Sequence, residues 1–211
     1  MMILEIYGFP VYKGKFSEKE NVLRYIQECK LRKSNKWNAD CLISAEHGSD
    51  EISETDLKCI DDTIFNELVK HASEMMKELG INIKLSPSRC GQQNCLECRD
   101  VWVNSYTMGH SQELHWHVNY ELNVLFSFTY FAKYNPDTDA DFVFVNAIPN
   151  GVCHEEMLKH SAFSKSTILN VEEGDIIIFP CWMLHYVTTQ KSEGPRITMS
   201  GNFYEVKSEQ E

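Results

Sequence analysis

Two periodicities divide the chain. In the stretch leading up to Gly80 the apolar positions recur at spacings of three and four, and from Ile81 onward they alternate with a period of two. Between Ser53 and Leu79, residues Leu57, Ile60, Ile64, Leu68, His71, Met75 and Leu79 form one stripe, which predicts an amphipathic helix stopped by Gly80. Ser17 precedes Glu18, Lys19 and Glu20 and then Val22, Leu23, Ile26 and Leu31, which predicts a shorter helix with Ser17 as its N-cap. The opening stretch from Ile3 to Tyr12 reads as extended. Pro10 has no N–H to give to a ladder and is expected to keep that stretch out of the centre of a sheet.

After Ile81, short apolar runs separated by turn residues predict strands near 83–88, 100–108, 113–118, 122–132, 141–146, 166–171, 175–180, 185–190 and 196–206. Val124 to Phe131 is apolar on both faces, the mark of an interior strand. The predicted fold is mainly β, a sandwich or jelly roll with N-terminal helices packed against it. We expect one domain over 1–211, with a strand and helices in 1–80, the jelly-roll core in 81–206 and a tail at 207–211.

Composition narrows the function classes. A chain of 211 residues can bury its own core without disulfides. Its eight cysteines follow no charged and apolar leader, so the expected setting is reducing and cytoplasmic. No apolar run approaches the roughly 18 residues of a membrane span. A net charge of −11 opposes a phosphate backbone and disfavours nucleic acid as a partner. The acidic stretch from Asp50 to Asp62 reads as a solvated helix start.

The candidate chemistry begins at His115-Trp116-His117. In a strand, both imidazoles face one side and Trp116 the other. His185 follows a turn and the apolar run Ile176-Ile177-Ile178-Phe179-Pro180, and it offers a third nitrogen from a distant strand. Three such ligands on one face of an octahedron leave three positions open. Arg196 stands eleven residues beyond His185 and shares a strand face with Thr198, Ser200 and Asn202. A guanidinium beside a hydroxyl suits bidentate capture of a carboxylate. Asn104 and Tyr106 share a face of the strand before His115 and add hydrogen-bonding groups for a dicarboxylate.

At these residues the chain resembles the iron(II)/2-oxoglutarate oxygenases of the cupin-like double-stranded β-helix superfamily, whose H-x-D…H triad is followed by a basic residue that holds the tail of 2-oxoglutarate. The segment Asn104-Ser105-Tyr106-Thr107-Met108-Gly109 is similar to one of the DNA-dealkylating branch. The segments around His185 and from Arg196 to Phe203 look more like a phage-associated group related to prolyl hydroxylases, in which H-x-H also occurs. The resemblance covers most of the chain and is strongest from 102 to 204. It implies Fe(II) held by His115, His117 and His185 as catalytic centre. It also implies 2-oxoglutarate held by Arg196 with Thr198, Tyr106 and Asn104, and consumption of O2. The implied activity is hydroxylation of a peptidyl substrate, prolyl residues included, or of a small molecule, with release of succinate and CO2.

His117 replaces the carboxylate of the wider superfamily. Three neutral imidazoles leave the metal more electrophilic and select less firmly against Zn, Cu or Ni. His117 is either the third ligand or a neighbour of the metal with water in that position, and the nearby oxygen alternatives are Asp100, Glu113, Asn119 and Glu121. Trp116, Tyr120, Trp182 and Tyr186 either border a substrate pocket or pack at the rim. Cys90, Cys95 and Cys98, in a turn-rich stretch, would make a structural zinc site with His110 or Cys153, or else stay reduced. His154 and His160 read as surface residues. Two other functions fit the histidines: a three-histidine cupin dioxygenase independent of 2-oxoglutarate, and a noncatalytic jelly-roll binding module. Arg196 in register after His185 argues for the 2-oxoglutarate reading.

Overall fold

The computed structural model describes residues 2–33, 40–44, 60–82, 84–85, 95–119, 123–146 and 166–206. Its elements are β1 (Met2–Ile6), β2 (Phe9–Lys15), α1 (Lys19–Glu28), β3 (Arg32–Lys33), β4 (Leu42–Ile43), α2 (Asp62–Glu78), β5 (Lys84–Leu85), β6 (Cys95–Tyr106), β7 (Gln112–His115), β8 (Val124–Lys133), β9 (Phe142–Val145), β10 (Ser166–Ile168), β11 (Asp175–Pro180), β12 (His185–Val187) and β13 (Arg196–Val206).

Alternation gives the long strands two working faces. In β8, Phe126, Phe128, Tyr130 and Ala132 turn to a core shared with the helices, while Phe131 turns to a second core between the sheets. β11 divides Ile176 and Ile178 from Ile177 and Phe179 in the same way. The larger sheet runs β1-β2-β11-β8-β13-β6-β4-β3 with β5 beside β6, and the smaller runs β10-β9-β12-β7. The predicted jelly roll is therefore present, and β8 is the interior strand its two apolar faces called for, paired with both β11 and β13.

The stripe on α2 buries Ile64, Leu68, Ala72 and Met75 in the helix-side core with Phe128, Tyr130 and Met199. A fully buried aliphatic side chain of this kind contributes about 1.5–3 kcal/mol. Asp61 caps the helix by accepting the Thr63 N–H at 2.7 Å, and Gly80, at φ +67°, ends it. Residues 53–59 of the expected helix lie outside the described residues, and Ile60 precedes the first turn. Gly14 lets the helix approach β2, because a Cβ there would stand 2.8 Å from Tyr12 Oη and 2.9 Å from His71 Nδ1. Those two groups meet at 2.6 Å, and Tyr12 donates to Glu74 at 2.7 Å.

Three local expectations change. The N-terminal stretch is a β1–β2 hairpin whose turn residues, Tyr7 (φ 55°) and Gly8 (φ 79°), both adopt the positive φ of a type I′ turn. Its second strand lies inside the sheet despite Pro10, because pairing with β11 begins only at Tyr12 and the missing N–H falls beyond that ladder. Ser17 does not cap α1. Glu18 occupies the N-cap position without a side-chain bond, and the Ser17 N–H donates to Glu67 Oε1 at 3.3 Å, tying α1 to α2. Residues 1–80 also do more than precede the sandwich, since β1 to β4 extend its larger sheet. No helix among the described residues is long and apolar enough to cross a membrane.

Candidate active site

β7 and β12 are neighbours in the smaller sheet, and their register sets His185 opposite His115. β7 ends at His115, three residues short of the expected strand. His117 is held instead by its backbone N–H, which donates to the Cys181 carbonyl at 2.8 Å in the turn after β11. The alternation survives the end of the strand, since Trp116 is 55% exposed while the flanking imidazoles turn inward.

The three histidines offer ligand atoms that all lie within 4.8 Å of one another, with 3.3 Å between the Nε2 atoms of His117 and His185. Two of the rings have their tautomer set by the backbone. His115 Nδ1 lies 2.8 Å from the Glu113 carbonyl and His185 Nδ1 lies 2.8 Å from the Met183 carbonyl. A carbonyl only accepts, so each Nδ1 carries the proton and each Nε2 presents a lone pair to the shared point. Glu113 contributes its carbonyl here, and its carboxylate is not part of the converging group. The side chains of Asp100 and Glu121 lie outside the described residues.

His185 is 3% exposed and stacked on Phe142, with ring centroids 5.1 Å apart. Burial holds its pKa well below the ordinary histidine value of 6.5, and His115 and His117 push the same way. Burial also lowers His115, against the opposing pull of Glu113. Both rings are thus kept neutral, the state a metal ligand needs. The sign of the stability effect follows. A depressed folded pKa means that the unfolded chain binds more protons, so stability present above about pH 6.5 is lost as the pH falls. The melting temperature of the metal-free protein is expected to drop steadily from about pH 7 to about pH 5. Replacing His115 and His185 together by glutamine should flatten that slope, and an unchanged slope would show that other groups set it.

Arg196 opens β13, opposite Tyr106 on β6, and Thr198 stands opposite Asn104. The guanidinium is 0% exposed and lies 4.8 Å from the centre of the Tyr106 ring, with Phe131 and Tyr134 at 5.5 and 5.7 Å. Burial pulls its pKa down, while Tyr106, Tyr134 and Asp139 pull it up. None of its three nitrogens has a hydrogen-bond partner, and neither has Asn104 Oδ1. A buried cation without an acceptor is costly, so this pocket fits an anionic ligand with oxygens to place against the guanidinium.

The histidines and Arg196 line one pocket of about 280 Å³ together with Trp102, Asn104, Tyr106 and Thr198. Every site residue expected from the sequence is in this lining. Sequence reasoning missed Gln112, whose Oε1 accepts from Tyr106 Oη at 2.6 Å, and Trp102, whose ring lies 5.5 Å from that of His117. It also missed Gln190, which accepts the Ala140 N–H at 2.6 Å and donates to Asp139 and Ser192 at 2.7 Å, bracing the loop that leads to Arg196.

The cysteine expectation changes in part. Residues 95–98 belong to β6, and Cys98 is buried in the helix-side core rather than in a turn. Cys90, Cys153, Tyr120, His154 and His160 lie outside the described residues. Trp182 is exposed and meets the Phe9 ring edge-on at 6.1 Å, a rim contact.

Residues 100–202, which contain the whole pocket lining, match the family model described as "Putative 2OG-Fe(II) oxygenase". No curated protein matches the chain by sequence. Among solved structures, the chain is similar to a prolyl-4-hydroxylase of Pseudomonas putida (12% identity, 94% of this chain and 93% of that one, TM-score 0.57). It is also similar to the viral collagen prolyl hydroxylase of Paramecium Bursaria Chlorella virus-1, solved with 2-oxoglutarate (14%, 93% and 96%, 0.53). A third is HygX of Streptomyces hygroscopicus, solved with nickel and 2-oxoglutarate (13%, 93% and 82%, 0.56). At these identities the likeness is one of fold, the double-stranded β-helix.

Proposed function

We propose that the chain is a 2OG-Fe(II) oxygenase, as the match of its segment 100–202 supports, and that His115, His117 and His185 hold the iron. Arg196, with Thr198, Tyr106 and Asn104, takes the distal carboxylate of 2-oxoglutarate, and the substrate is a peptide, prolyl residues included, or a small molecule. The observation that carries this reading is the buried guanidinium of Arg196, its nitrogens unpartnered, in one pocket with three histidines whose ligand atoms converge.

Bound Fe(II) and 2-oxoglutarate supply an O2-dependent oxidation in which one substrate C–H becomes C–OH, while 2-oxoglutarate becomes succinate and CO2. The protein's own residues do the rest. Glu113 and Met183 carbonyls fix the tautomers of His115 and His185, so that lone pairs face the metal position. Phe142 and Phe179 pack around His185 and keep water from that side. Arg196 gives the dicarboxylate one direction in the pocket, because a planar fork pairs with two oxygens at once. The likeness to two prolyl hydroxylases supports a peptidyl substrate.

The deciding experiment loads the protein with Fe(II) without air, adds 2-oxoglutarate and admits air. Succinate is expected in amounts tied to the O2 consumed. O2 uptake that ignores 2-oxoglutarate would favour the three-histidine dioxygenase. No uptake at all would favour a binding module.

A further inference from the structure

Gln112 stands three residues before His115, an odd spacing that in a regular strand points the two side chains to opposite faces. Here both face the pocket. His185 pairs with His115 and Val187 with Gln112, so two steps along β12 match three along β7. That one-residue bulge turns Gln112 inward beside the histidine.

Inside the pocket the Gln112 amide touches both halves of the site. Its Oε1 accepts from Tyr106 Oη at 2.6 Å, and its Nε2 stands 3.5 Å from His115 Nε2. The Nε2 lone pair of His115 decides which end of the amide faces which group, since the Tyr106 hydroxyl can meet either end but a lone pair only a donor. The NH2 therefore points at the lone pair that His115 presents once its Nδ1 proton is given to Glu113.

We propose that Gln112 is a positioning residue for 2-oxoglutarate, a role that rests on the reading of this pocket as an Fe(II)/2-oxoglutarate site. It acts in two ways. By accepting from Tyr106 it holds that ring under the guanidinium of Arg196, 4.8 Å away. By aiming its NH2 at the edge of the metal position it keeps a donor ready for an oxygen of the co-substrate. A metal that takes the His115 lone pair removes the acceptor that this NH2 faces. A buried donor without an acceptor is costly, so the metal-loaded pocket gains an extra preference for an anionic oxygen there.

Two variants separate the halves of this role. Gln112→Glu keeps an acceptor for Tyr106 and deletes the NH2, whereas Gln112→Leu deletes both at similar size. The probe is 2-oxoglutarate titrated into Mn(II)-loaded protein and read by the fluorescence of Trp102, close to His117. Mn(II) affinity and melting temperature are measured alongside. Both variants are expected to bind 2-oxoglutarate about tenfold or more weakly, the loss of one charge-assisted hydrogen bond. Mn(II) affinity is expected to stay within a few fold for Gln112→Leu and to hold or rise for Gln112→Glu. Wild-type affinity for 2-oxoglutarate in Gln112→Glu would overturn the donor role, and parallel losses of Mn(II) and 2-oxoglutarate in both variants would reduce Gln112 to a structural part. Failure of the wild-type protein to bind 2-oxoglutarate would instead overturn the reading of the site itself, and this role with it.

Discussion

Arg196→Met is expected to lower 2-oxoglutarate affinity by roughly 10²–10³-fold, the penalty of removing one partner of a desolvated charge pair, while metal affinity stays within a few fold. The separation follows from position. Arg196 reaches the pocket from β13 in the larger sheet, and the histidines reach it from β7, β12 and the segment after β7 on the other side. Methionine fills much of the same space among Tyr106, Phe131 and Tyr134, so the variant keeps its packing. Without 2-oxoglutarate the guanidinium is buried with no acceptor. Its removal is therefore expected to be neutral or to stabilise the ligand-free protein by about 1–4 kcal/mol, as when other buried charges are replaced by apolar groups. Titration of Mn(II)-loaded protein and a thermal melt read the two effects separately. Equal loss of metal and co-substrate binding would remove Arg196 from the anchoring role, and a lower melting temperature would mean that its ring contacts outweigh its desolvation.

His185→Ala is expected to abolish both tight metal binding and succinate formation. His185 is the ligand supplied by β12, and two imidazoles from one short segment cannot close a facial set of three. The clearest readout is the thermal shift on adding Mn(II). A ligand at about 100 times its dissociation constant stabilises by about 2.7 kcal/mol, so the wild type is expected to gain several degrees and the variant none. The variant also leaves a cavity beside Phe142, Phe144 and Phe179, and a lower melting temperature without metal is expected. That loss is separate from the vanished shift, so a folded variant that still responds to Mn(II) would show that His185 does not ligate.

The same residues show how far the chain's own pattern reaches. Local periodicity is a property of consecutive residues, so the α2 stripe from Ile64 to Met75, the two apolar faces of β8 and the shared face of His115 and His117 were legible without a structure. Arg196, Thr198, Asn104 and Tyr106 were legible for the same reason, because each pair alternates within one strand. Where chemistry depended on how one strand meets another, the pattern was silent or misleading. Pro10 sits in an interior strand because the β11 ladder stops short of it, and Cys98 lies in a strand core rather than a thiol turn. Gln112 enters the pocket only through a bulge between β7 and β12. By itself the sequence determined which side chains share a face and which residue types could hold iron and a dicarboxylate. Register between strands more than sixty residues apart, and with it the depth of Arg196 and the inward turn of Gln112, was decided by the tertiary structure, because only the pairing of distant strands sets where their faces coincide.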